Sequence, residues 1–123
     1  MGTWAEGNFD NDGALDFVGG LIDDITAKID ECFADEEASR LDEEGEAVIV
    51  PGVHIISMLS ENCKAAPPQT AVVAKWKSQF MAIFDEQIGE LEPAEGYEQK
   101  RRAVIEATFS KLEEQSRQFW RSD

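Results

Sequence analysis

Asn8, Asp10, Asp12 and Asp16 place oxygen ligands at the first, third, fifth and ninth positions of a stretch whose sixth residue is Gly13. That spacing belongs to calcium loops, where alternate oxygens close around one cation and a Glu at the twelfth position binds with both of its own. Here the twelfth position is Gly19. The chain after Gly13 also already reads as helix, with Leu15 and Val18 on its apolar side. The expected job of Asp10 or Asp12 is therefore to cap that helix, the carboxylate accepting from free backbone N–H groups at its positive end. The other reading is a metal-binding protein or metal-dependent enzyme, which would have to be built on Asp10, Asp12 and Asp16.

Asp16, Asp23 and Asp30 recur every seven residues. Paired carboxylates do general acid–base work only beside a cleft that separates their pKa values. On the outer side of an amphipathic helix they form a solvated face, and that is the expectation here. His54, the one histidine, lies in an apolar run with no flanking signature of a triad or a metal site, and is expected to be partly buried and hydrogen-bonded. Cys32 and Cys63 match no common zinc spacing and are expected to be buried thiols. There is no glycine-rich phosphate loop, and no cofactor is expected. The basic cluster Lys100-Arg101-Arg102 is expected to pair with Glu98 and Glu106, each four residues from Arg102.

Charge is unevenly distributed. Residues 1–46 carry 15 acids against Lys28 and Arg40, a net of -13, whereas the rest of the 123-residue chain carries 11 acids and nine bases. Such a surface repels nucleic acid and anionic lipid and attracts basic proteins. The candidate binding residues are Asp16, Asp23, Asp24, Asp30, Glu31, Asp35, Glu36 and Glu37. The absence of an 18-residue apolar run excludes a transmembrane helix. The opening lacks the basic start and apolar stretch of a secretory leader, and two cysteines fit a reducing, cytoplasmic setting.

The elements that must position these residues are read from apolar periodicity. The opening, with Gly2 and Gly7, suits an ordered arm, its Trp4 and Phe9 packed on the core. Leu15, Val18, Ile22, Ile25, Ile29 and Phe33 predict a first helix over about 12–34. Gly19-Gly20 inside it predicts a kink or a close helix contact, since each glycine costs about 1 kcal/mol relative to alanine. An acidic connector runs from Asp35 to Gly45. Residues 47–63 read either as a helix beginning or kinking at Pro51 or as a short hairpin at 48–56 around Pro51-Gly52. An isolated hairpin is marginal in water and both neighbours are helical, which favours helix. Lys64-Ala-Ala-Pro-Pro breaks the chain, a helix follows to about Leu91, and a last one spans about 94–120, with Tyr97, Val104, Ile105, Phe109, Leu112, Phe119 and Trp120 on one side. At 42% hydrophobic residues, this predicts a single acidic all-α domain over 1–123, a four-helix up-and-down bundle.

The opening Met-Gly-Thr-Trp, followed by Gly7, Phe9, Asn11, Asp12, Ala14, Asp16 and Phe17, resembles a family of small bacterial proteins known as a domain of unknown function. Its members open with Met-Gly-x-Trp-x-x-Gly-x-Phe-x-Asn-Asp and continue as short, acidic, helical chains. Val48 to Pro51 stand where that family has an alanine-rich helix. The resemblance implies an intracellular helical domain and brings no activity, cofactor or catalytic residue to carry over.

The functional expectation is a non-enzymatic domain whose acidic first third meets a basic protein, in the manner of an immunity or inhibitor protein that neutralises a cationic nuclease. A subunit of a homo-oligomer is a further reading, which an exposed aromatic patch from Trp76, Phe84 or Trp120 would support.

Overall fold

The computed structural model describes residues 3–121, so Met1 and Gly2 of the opening motif lie outside the described residues. Helix α1 spans Asp12–Ala34. Its cap is Asn11, whose Oδ1 accepts from the Ala14 N–H at 2.7 Å, and not Asp10 or Asp12. All three residue types make good caps; extended backbone at Asn11 decides between them. Asp10 instead accepts from the Gly7 N–H at 2.9 Å and closes the turn before the helix. The Trp4 N–H donates to the Asp10 carbonyl and Thr3 bridges Asn11, so backbone bonds hold the arm. Trp4 and Phe9 are exposed rather than packed on the core.

Val18, Ile22, Ile29 and Cys32 are the buried face of α1. The helix runs unbroken through Gly19-Gly20, and a Cβ at either position would meet nothing within 4 Å, so neither the kink nor the close contact exists. After α1, Asp35 Oδ1 accepts from the N–H groups of Glu37 and Ala38 and rounds the turn. A wide helical turn over Leu41–Ile49, broken at Glu43, then feeds directly into α2, Val50–Cys63. Pro51 sits in the first turn of α2, where its missing N–H goes unneeded. The hairpin alternative is thereby excluded. Gly52 faces α1, where a Cβ would meet Ile29 Cδ1 at 3.1 Å and Ile25 Cγ2 at 3.3 Å.

Helix α3 spans Thr70–Gln87, with a tighter turn over Ile88–Leu91, and α4 spans Tyr97–Trp120. Residues 94–96, expected as helix, stay outside because Gly96 takes a left-handed φ of 82°. Trp76, Phe80, Phe84, Phe109 and Leu112 fill the core, with the Phe80 and Phe109 rings stacked 5.6 Å apart. Tyr97, Val104, Phe119 and Trp120, expected on the inner side of α4, are exposed.

Helix directions alternate. Phe80 opposite Phe109 and Asp85 opposite Arg102 set α3 against α4, while Gly52 opposite Ile29 and Glu44 opposite Cys32 set α2 and the turn before it against α1. Glu46 beside Arg101 and Ser57 beside Gln115 show that α2 runs with α4, so α1 runs with α3. The result is a small all-α, four-helix bundle in which α2 and α3, though consecutive, face each other across a diagonal.

Candidate functional site

A seven-residue spacing returns nearly to the same line on an α-helix, so Asp16, Asp23 and Asp30 lie along one flank of α1, with Asp24 and Glu31 beside them. All five residues are exposed. Their environments differ. Asp30 Oδ1 accepts from the Trp76 indole N–H at 2.8 Å, tying α1 to α3. Asp35 is committed to the turn that follows. Among the described residues, the side chains of Asp16, Asp23, Asp24, Glu31, Glu36 and Glu37 make no hydrogen bond or ion pair. Of the eight residues singled out from sequence, the structure thus sets six on the surface as uncompensated carboxylates and gives two a structural task.

The cations explain why those six stay uncompensated. Lys28, the single base of α1, reaches Glu44 at 4.0 Å, and Arg40 pairs with Asp42 and Glu90. Arg101 pairs with Glu46, its Nε donating at 2.6 Å. Arg102 makes a two-pronged contact to Asp85, at 2.9 and 3.1 Å, and reaches Glu106. Glu106 was the expected partner; Asp85 on α3 takes the place expected for Glu98. The Arg102 guanidinium holds the Asp85 carboxyl below its ordinary range. Lys77, Lys111 and Arg117 are paired with Glu113, Glu61 and Glu114. Arg101 and Arg102 are thus engaged with acids of the connector, α3 and α4, Lys100 stays exposed on α4, and none of these paired bases reaches the outer flank of α1.

Cys32 and Cys63 are buried free thiols, and they sit apart. Cys32 lies beside the connector, its thiol donating to Glu44 Oε2 at 3.2 Å, whereas Cys63 closes the far end of α2. Burial, then the hydrogen bond to Glu44, then the charge of Glu44 push the Cys32 pKa up from 9.0 to about 11, Lys28 opposing. Such a thiol is a poor nucleophile at neutral pH. His54 is exposed on α2, against the expectation of partial burial, because α2 buries Val53, Ile56 and Ser57 and turns residue 54 outward.

Asp10 is occupied by the Gly7 N–H, and Asp12 and Asp16 point to solvent on successive turns of α1. Among the described residues, no group of three or more His, Cys, Asp or Glu side chains is placed to hold a metal ion. Open depressions of about 490 Å³ and 480 Å³ lie between the ends of α2 and α4 near Ser60, Lys64 and Phe119, and beside the connector near Arg40 and Gln87.

Sequence reasoning missed the exposed apolar residues beside the acids. Phe17 and Leu21 are exposed on α1. Their i, i+4 spacing, one step off the Val18–Ile22 core line, was the signal available for a second apolar stripe.

No helix among the described residues is long and apolar enough to cross a membrane. Comparison with curated proteins and with solved structures found no match. Residues 2–122 match the family described as Domain of unknown function (DUF4259). That match runs from the arm beyond the last turn of α4, and the chain belongs to this family.

Proposed function

We propose that this chain is a non-enzymatic, acidic protein-binding domain that engages a basic partner through the outer flank of α1 and the turn that follows it. One observation carries the reading. Asp16, Asp23, Asp24, Glu31, Glu36 and Glu37 are exposed and have no cation partner among the described residues, while the paired bases are engaged elsewhere in the bundle. A folded chain gains nothing in stability from unscreened like charges along one helix, and self-repulsion opposes it. An incoming basic surface turns that repulsion into attraction and speeds encounter within a screening length of about 8 Å at physiological salt.

A concrete form is an inhibitor of a cationic nuclease, the carboxylates of α1 standing where nucleic-acid phosphates would lie. Affinity capture from the host on the immobilised domain, at low and at high salt, tests this. The expected result is a basic protein retained at low salt, released at high salt, and lost with the triple variant Asp16→Lys, Asp23→Lys, Glu31→Lys. Recovery of no basic protein at either salt, or equal retention by the triple variant, overturns the proposal.

A further inference from the structure

The opposite flank of α1 leads onto a face of different character. From Ala47 to Ser60 the chain runs 14 residues without an Asp, Glu, Lys or Arg, its longest such run in a sequence that is 30% charged. Along α2, Pro51, His54, Ile55 and Met58 form the exposed side. Gly52 against Ile25 and Ile29 fixes the α1–α2 register. One and two turns earlier on α1, Leu21 and Phe17 fall on the flank beside α2, level with its second half. On the other side, Val104 and Ala107 of α4 share a shallow depression with His54. Phe17 is 69% exposed, Val104 53%, Met58 42% and Ile55 41%. Exposed apolar side chains standing together across three helices mark an interaction surface.

We propose that this face joins two copies of the chain in a two-fold pair, α2 against α2. Charge selects the occupant. Each copy carries a net charge of -15, so any pairing through the outer flank of α1 or the connector sets free carboxylates against their like. The α2 face brings uncharged side chains together, and bordering acids are already neutralised, Glu44 by Lys28, Glu46 by Arg101 and Glu61 by Lys111. Asp24, one turn from Leu21, and Lys100, one turn from Val104, are uncompensated charges at the rim. A basic protein finds no opposite charge here, which separates this face from the one proposed above. The 14 residues of α2 and one helix spacing on each side give a footprint of about 20 by 20 Å. That size is at the small end for specific pairs and suits a weak, reversible one.

Sedimentation equilibrium of the full chain from micromolar to millimolar concentration, at several salt concentrations, provides the test. The expected result is a monomer–dimer equilibrium that tightens as salt rises, because screening relieves repulsion between the copies; binding of a basic partner weakens with salt. Met58→Glu and Val104→Glu each loosen the dimer at least tenfold while circular dichroism and the melting curve stay unchanged, since both side chains are exposed. Asp23→Lys, on the far flank of α1, leaves the apolar contact in place. A chain that stays monomeric throughout, or a dimer indifferent to Met58→Glu and Val104→Glu, overturns the proposal.

Discussion

Asp16, Asp23 and Asp30 share one line along α1, yet only the last is tied to the fold, through the Trp76 indole. Removing a partner from a hydrogen bond that involves a charged group costs about 1–2 kcal/mol where the bond is partly shielded, whereas an exposed acid without a partner is worth less than about 0.5 kcal/mol. Urea unfolding should therefore show Asp30→Ala destabilised and Asp16→Ala and Asp23→Ala close to the parent. Equal losses at all three positions would contradict the contact. Cys32 gives a prediction of the opposite kind. The folded state holds the thiol proton more tightly than the unfolded chain, raising the pKa from 9.0 to about 11. Its contribution to stability is complete below pH 9.0 and is lost as pH rises toward about 11. Chemical unfolding across that range should show an alkaline loss in the parent chain that is smaller in Cys32→Ala. Glu44→Gln removes the neighbouring charge and should move the thiolate absorbance transition to lower pH.

Glycines divide the elements into places where the chain must come close and places where it need not. A Cβ on Gly45 would stand 2.7 and 2.8 Å from the carbonyl oxygens of Ser39 and Arg40, which are backbone atoms that cannot swing away. Gly45→Ala should cost more than about 2 kcal/mol in thermal or urea unfolding. Gly19→Ala and Gly20→Ala should each stabilise α1 by up to about 1 kcal/mol, since open space surrounds both positions and the helix prefers alanine. Four helices and the limits of α1 were legible in the sequence because apolar side chains recur at three- and four-residue steps and few residues interrupt them. The start of α4 was not, because Ala94 and Glu95 suit a helix and only the left-handed backbone at Gly96 delays it. Periodicity also located the acidic flank but could not say which acid was bound. Asp30 meets Trp76 from 46 positions away, and Arg102 prefers Asp85 on another helix to Glu98 on its own. Such choices are settled by tertiary contact, which a pattern along one helix does not contain. Trp76 and Phe84, two of the three aromatics suggested for an exposed patch, are buried on α3 with Phe80, whereas the third, Trp120, is exposed beside Phe119 at the end of α4. A separate exposed apolar face lies on α2.

Across the whole molecule, uncompensated acids on one side make stability itself depend on ionic strength. Added monovalent salt should raise the melting temperature, because screening weakens repulsion among the free carboxylates faster than it weakens the partly buried Arg101–Glu46 pair. Calcium, magnesium or manganese, compared at matched ionic strength, should add no further shift, since among the described residues none are grouped to hold a cation. A saturable increase with one of these ions would revive the site at Asp10, Asp12 and Asp16. Finally, α2 and α3 both lean chiefly on α4, and the Trp120 indole at the end of α4 donates to the Pro67 carbonyl in the linker that carries the chain across the bundle. During synthesis, then, α2 has α1 alone to close against and α3 is held to α1 by little beyond Trp76 until α4 has left the ribosome. In that interval the apolar sides of α2 and α3 stay partly open, and the negative charge of residues 1–46, translated before them, keeps neighbouring copies apart.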